Sequence, residues 1–140
     1  DRGPKFSIIG GLVFQELSVP FLKLFGNDWQ SRAPIKMLMA HANPEMYEKE
    51  GRRKLVILTR TIPTPVTLGY ERLSTLIVTK INGIPINDIQ DVDKAASMPA
   101  NGQHRIEFDS YPKLIFLDAV LARRVNAALE QRIGITKRLK

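Results

Sequence analysis

Gly10-Gly11-Leu12-Val13-Phe14 is the run with the most specific chemistry in the chain. A glycine pair lets successive backbone N–H groups turn towards one point, and such a nest can hold a carboxylate. The apolar strand that follows can pair with an incoming extended chain. Main-chain hydrogen bonds would then supply affinity, and pockets for alternate side chains would supply selectivity. A helix carrying Ile89, Val92 and Ala96 on one face can form the opposite wall of such a groove. The same residues also fit an ordinary β-hairpin with a glycine bulge.

Residues for bond-breaking chemistry are not grouped. The two histidines, His41 and His104, stand alone and belong to no metal-ligand spacing. Asp88, Asp91 and Asp93 cluster, but at the start of a helical pattern, where carboxylates cap and solvate the positive end. No G-x-S-x-G elbow, Walker loop or dinucleotide fingerprint occurs. The absence of Cys excludes disulfides, thiolate catalysis and cysteine metal sites. The expectation is a non-catalytic chain without cofactor or metal; an intrinsic hydrolase ranks last among the alternatives.

The elements that must carry the glycine run follow from pattern. Phe6 to Leu17 reads as strand, tight loop, strand. Ser18 caps a short helix with Pro20 in its first turn, stopped by Gly26-Asn27-Asp28. Ala33 to His41 is a second helix with Ser31 as its cap, and Asn43-Pro44 breaks it. Glu45 to Arg53 is a charged surface stretch. Leu55 to Ile62 is a strand ended by Pro63 and Pro65, which cannot donate to a ladder. Val66 to Arg72 is a short helix, and Leu76 to Ile81 is a strand running into Asn82-Gly83, a type I′ hairpin signal. A helix spans about Asp88 to Met98, capped by Asn87 or Asp88. His104 to Phe108 and Lys113 to Leu117 form a hairpin. A terminal helix, Asp118 to Arg132, ends at Gly134 before a basic tail. Strands and helices without a βαβ rhythm predict an α+β domain with an antiparallel sheet or small, partly open barrel.

The 140 residues suffice for one domain with a real core. No apolar stretch approaches a membrane span. The first residue, Asp1, suggests a fragment or processed product. The net charge of +7 is spread over Arg52-Arg53-Lys54, Arg123-Arg124 and Lys137-Arg138-Lys140. A basic surface can attract nucleic acid, but no aromatics interleave with it as a base-stacking platform requires, so nucleic acid is the weaker reading.

Several runs share their order with a known family. GGLVFQELSVPFLK, the insert through Ala33-Pro-Ile-Lys-Met-Leu, LVILTRTIPTPVTLGYE, KINGIPIND and the KLIFLD strand with its trailing helix resemble the C-terminal PDZ-like domain of Do-like (Deg/HtrA) serine proteases. The resemblance covers nearly the whole chain and implies one PDZ-like domain over residues 1–140, with a helical insert after the first hairpin. It also implies a trypsin-like catalytic domain elsewhere in a larger quality-control protease. The partners it implies are peptide or unfolded segments and other domains and subunits of a homo-oligomer. The compartment it implies is periplasmic or otherwise extracytoplasmic, and organellar in a eukaryote. Carried over residue by residue, Gly10, Gly11, Leu12 and Val13 supply loop N–H groups, Phe14 begins the ligand-pairing strand, and Val92 and Ala96 line the facing helix. The sequence departs from the usual pattern at Val13, which stands where the loop has glycine, and at Ser74-Thr75, in place of Gly-Asp. Its insert from Ser18 to Lys54 is also long, with apolar helices able to cover the groove.

Overall fold

The computed structural model describes residues 6–45 and 54–139. Asp1–Lys5, Met46–Arg53 with the basic pair Arg52-Arg53, and the side chains of the tail Lys137-Arg138-Lys140 lie outside the described residues. A seven-stranded antiparallel sheet organises the rest, in the order β1-β2-β3-β4-β6-β7, with the short β5 (Ile84–Pro85) paired to β4. β1 (Phe6–Ile9) and β2 (Leu12–Glu16) form the first hairpin, in which Ile9 faces Leu12 and Gly10-Gly11 is the turn. β2 then pairs with β3 (Val56–Thr61), with a bulge between Val13 and Phe14. β3 meets β4 (Leu76–Ile81) over a short register, and β4 meets β6 (Gln103–Phe108) through a second bulge between Val78 and Lys80. Bulges bend and twist a sheet locally, and here they curl it around one apolar centre. The fold is the expected α+β, PDZ-like arrangement.

Two clusters share the sheet. Ile9, Leu12, Phe14, Leu58, Val78, Ile81, Ile106 and Leu117 build the main core. The second cluster lies over Ile57 and Ile77 and belongs to the insert. Leu55-Val56-Ile57-Leu58 is therefore buried on both faces, which is why it reads as an unbroken apolar run instead of alternating. The insert comprises α1 (Val19–Leu22), a 3-10 turn, α2 (Trp29–Arg32) and α3 (Ile35–Ala42). It contributes Phe21, Leu22, Met37 and Ala40 to this outer cluster, so it clads β3 and β4 on the face away from the main core.

Several boundaries follow their chemistry. The Ser18 hydroxyl accepts from Phe21 N at 3.2 Å and caps α1, as the sequence predicts. Ser31 does not cap α3: its hydroxyl donates to Asp28 O, and α3 starts after Pro34, whose fixed φ suits a helix entrance. Val66 to Arg72 is not a helix but a 3-10 turn, Pro65–Thr67, followed by open turns that include Gly69 at φ +91°. α4 (Ile89–Ala96) ends two residues early, with Ser97 at its C-cap. β7 (Leu114–Asp118) leads into α5 (Ala119–Leu139), which continues through Gly134 instead of ending there. One glycine costs a helix only about 1 kcal/mol relative to alanine, too little to stop it.

Candidate functional site

The site expected from sequence is the outer edge of β2 with α4 beside it. In the structure both edges of β2 are paired within the chain. β3 holds one, and β1 holds the other through Phe6↔Gln15, Ser7↔Phe14, Ile8↔Val13 and Ile9↔Leu12. β1 is thus an extended strand antiparallel to β2 in the place where an added strand would lie. It also contacts α4. The Ser7 hydroxyl, buried, donates to Asp93 Oδ1 at 3.0 Å. The next strand is tied to the first residue of the same helix, where Ile89 N donates to Glu16 Oε2 at 3.1 Å.

The helix itself is well anchored. Asp88 caps it by accepting from Asp91 N at 3.1 Å, and Asp91 reciprocates by accepting from Asn87 N at 2.9 Å. The three aspartates read as a cluster thus have separate positioning roles: two close the helix N-terminus, and the third grips β1. Ile89 and Val92 are buried in the main core together with Leu12 and Phe14, and Ala96 packs against it half-buried. Val13 is buried outside that cluster. Of the eight residues singled out from sequence, Leu12, Phe14, Ile89, Val92 and Ala96 come together in and against the main core, Gly10 and Gly11 form the turn, and Val13 lies outside that cluster; the strand paired beside them is the chain's own.

The glycine turn is equally occupied. Gly10 sits at φ +63° and Gly11 at φ +119°. Gly10 N donates to Asn126 Oδ1 of α5 at 2.6 Å. Gly10 O accepts from Thr64 Oγ1 at 2.6 Å, and Gly11 O accepts from Ile62 N at 2.7 Å. Thr67 Oγ1 locks the far side by donating to Ile62 O at 2.9 Å while accepting from Thr64 N. There is no room for side chains: a Cβ on Gly10 would lie 2.7 Å from Val66 Cγ1, and one on Gly11 would lie 2.6 Å from Ile62 O.

Ser7, Asp93, Thr64, Thr67 and Asn126 were not apparent as site residues from the sequence. The one available signal was Asn126, a poor helix former set between the apolar positions Val125 and Ala128. His104 is buried on β6, where Asn82 Nδ2 approaches its Nδ1 at 3.1 Å; burial, then Arg123, lowers its pKa. His41 lies at the end of α3, edge-on to Trp29. Among the described residues no group of three His, Asp or Glu could hold a metal, and no helix is long and apolar enough to cross a membrane.

The paired sheet with a helix beside its glycine-turn strand is a PDZ-like arrangement. The chain belongs to the PDZ domain family, whose profile matches residues 1–139. It is 29% identical over 117 residues to Protease Do-like 2, chloroplastic, of Arabidopsis thaliana. That match covers 83% of this chain but only 18% of the relative's length. A PDZ domain by itself is an interaction module, not a catalytic one.

Proposed function

We propose that this domain is a regulatory protein-binding module of a Do-like serine endopeptidase, and that it receives extended segments by strand exchange at the β2 edge. The observation that carries this reading is β1 itself. An extended strand, antiparallel to β2 and bonded to α4 through Ser7 and Asp93, fits the seat in backbone direction and side-chain alternation. What accepts the chain's own four-residue strand accepts another of like pattern once β1 is released, through the same main-chain bonds. The seat lined by Leu12, Phe14, Ile89, Val92 and Ala96 favours apolar residues at alternate positions.

The catalytic machinery belongs, on this reading, to a trypsin-like domain elsewhere in the parent protein. An organellar compartment in a eukaryote, or an extracytoplasmic one in a bacterium, follows by analogy with the chloroplastic relative. A second reading has a specific observation behind it. Because β2 is paired on both edges, the domain can serve assembly between subunits without exchanging strands at all.

A disulfide lock separates the two. Phe6 and Gln15 are cross-strand partners in a chain without other cysteines, so Phe6→Cys with Gln15→Cys pins β1 to β2 on oxidation. Strand exchange predicts that a fluorescent peptide copying residues 1–9 binds the reduced protein and not the oxidised one. Equal behaviour in both states removes strand exchange. Absence of peptide binding in both, with a concentration-dependent mass in light scattering, leaves assembly.

A further inference from the structure

We infer that the outer edge of β7 is an interface of its own, which pairs antiparallel with β7 of a second copy of this chain about a two-fold axis at Ile115. β7 ends the strand order opposite β1, and its pairing does not depend on what the β2 seat receives. β6 holds one side of β7 in a regular register. Just beyond the two ends of that ladder, Phe108 N donates to Lys113 O at 2.9 Å and Ala119 N to Gly102 O at 2.9 Å. Bonded and unbonded pairs alternate along an antiparallel ladder. Both bonds give the same phase: Lys113, Ile115 and Leu117 turn their main-chain groups to β6, and Leu114 and Phe116 turn theirs outward. Among the described residues nothing bonds to those outward groups. The 3-10 turn Pro65–Thr67 touches β7, but its Val66 belongs to the main core with Ile115 and Leu117, and the turn gives the strand no hydrogen bond.

Edge strands that must stay unpaired carry a bulge, a proline or a charge. β7 has none of these between Leu114 and Leu117, and its register is unbroken. Its outer face is apolar instead. Leu114 and Phe116 are exposed there, opposite Glu107 and Arg105 of β6, which pair with each other at 3.5 Å. An antiparallel partner must set outward-bonding residues against one another. A two-fold axis at Ile115 sets Leu114 against Phe116 of the second copy, and Phe116 against its Leu114, so that each pair exchanges both main-chain bonds. Each row across the joined strands then reads Glu107, Leu114, Phe116, Arg105: an apolar centre within a charged rim, as protein interfaces are built. The same register carries the exposed Tyr111 of one copy to the start of α5 in the other, where Val120 is exposed. The phase also permits Phe116 against Phe116, but Leu114 would then face Asp118, whose carboxylate caps α5 by accepting from Leu121 N at 2.9 Å. The Ile115 axis makes a closed, self-complementary pair that leaves no free β7 edge.

The experiment uses the full 140-residue chain. Light scattering over a dilution series should give twice the mass of one chain at high concentration, falling to one on dilution. Leu114→Pro removes an outward N–H that no strand of the chain uses, a place where edge strands tolerate proline. It should weaken the pair at least about tenfold and leave the circular dichroism spectrum unchanged. Phe116→Lys should weaken it likewise and serves if the proline protein fails to fold. Cysteines then read the register, since the chain has none of its own. Bonded antiparallel pairs hold their Cα atoms about 5.5 Å apart, within reach of a disulfide. Leu114→Cys and Phe116→Cys proteins, mixed and oxidised, should give a covalent dimer with one chain of each, faster than either protein alone. The mass of one chain at every concentration overturns the inference, as does a dimer indifferent to both Leu114→Pro and Phe116→Lys. Cross-linking of Phe116→Cys alone as fast as the mixture overturns the Ile115 axis, and growth past the dimer overturns the closed pair. The peptide measurements at β2 are independent of all these outcomes, so strand exchange and β7 pairing fail separately.

Discussion

Two left-handed hairpin turns, Gly10-Gly11 and Asn82-Gly83, present the same local problem and solve it in opposite ways. Each joins two antiparallel strands with consecutive residues at positive φ. At Gly10-Gly11 the main chain does the bonding and the surroundings press in. The carbonyls and one N–H are tied to Thr64, Ile62 and Asn126, and a Cβ would collide on both residues. At Asn82-Gly83 the Asn82 side chain adds its own bonds to one main-chain bond, from Asn82 N to Arg105 O at 2.7 Å, and the turn is open. Asn82 Nδ2 donates to Ala95 O at 2.8 Å and approaches His104 Nδ1, while its Oδ1 accepts from Arg105 N at 2.8 Å. Nothing lies within 4 Å of where a Cβ on Gly83 would stand. Positive φ alone thus says little about what a glycine is for; the walls around it decide.

The contrast is sharpest under substitution. Gly11→Ala should be the most damaging change at either turn. It places Cβ 2.6 Å from a backbone oxygen that is itself held by Thr67, at φ +119°. Left-handed strain of about 1–2 kcal/mol and overpacking of about 1–3 kcal/mol together predict a loss near 3 kcal/mol. The urea midpoint at constant slope measures it, and a loss below about 1 kcal/mol would mean that the turn relaxes and is not walled in. Asn82→Ala should come next, at about 2 kcal/mol, because it removes the side-chain acceptor of Arg105 N and one of the donors to Ala95 O, which keeps Met98 N, and places alanine at positive φ. Asn82→Gly separates these causes. It restores the backbone freedom and not the bonds, so it should recover only part of the loss. Full recovery would show the side-chain bonds to be worth nothing. Gly83→Ala should cost only about 1 kcal/mol, since strain is the sole penalty in open space. A loss matching that of Gly11→Ala would erase the distinction between the turns.

How much of this was legible in the sequence depends on whether the cause was local. The Asn82-Gly83 turn was readable from its own dipeptide, and the Ser18 and Asp88 caps because each is satisfied by a residue three positions on. The glycine turn was readable as a turn, but its closure was not. It is shut by Asn126, distant in sequence, and by Thr64 and Val66, which flank Pro65. The partner of β2's outer edge was equally hidden. An edge strand's residues look the same whether the neighbouring strand comes from the chain itself or from elsewhere. The insert was readable as apolar helices, yet the surface it clads depends on Ile57 and Ile77, whose outward face shows only as an unbroken apolar run.

The smallest expected effect, and the most specific to the open turn, is a dependence of stability on pH through His104. Arg105 N donates to Asn82 Oδ1, so the Asn82 amide nitrogen must be the atom facing His104 Nδ1. That nitrogen only donates, so Nδ1 must accept and the folded state holds the ring neutral with its proton on Nε2. Burial, and secondarily the Arg123 guanidinium, push the imidazole pKa below its ordinary 6.5 in the folded protein. The unfolded chain therefore binds the proton more readily. The stabilising contribution is fully present above pH 6.5 and is lost as pH falls from there towards the lower folded value. Only one of the Asn82 contacts is involved, so the change in urea midpoint between about pH 8 and about pH 5 should be smaller than that caused by Asn82→Ala. His104→Gln, which retains an acceptor and does not titrate, should flatten this part of the profile. An unchanged slope in that variant would mean that the pH dependence arises elsewhere in the molecule and that the Asn82 staple does not sense the proton.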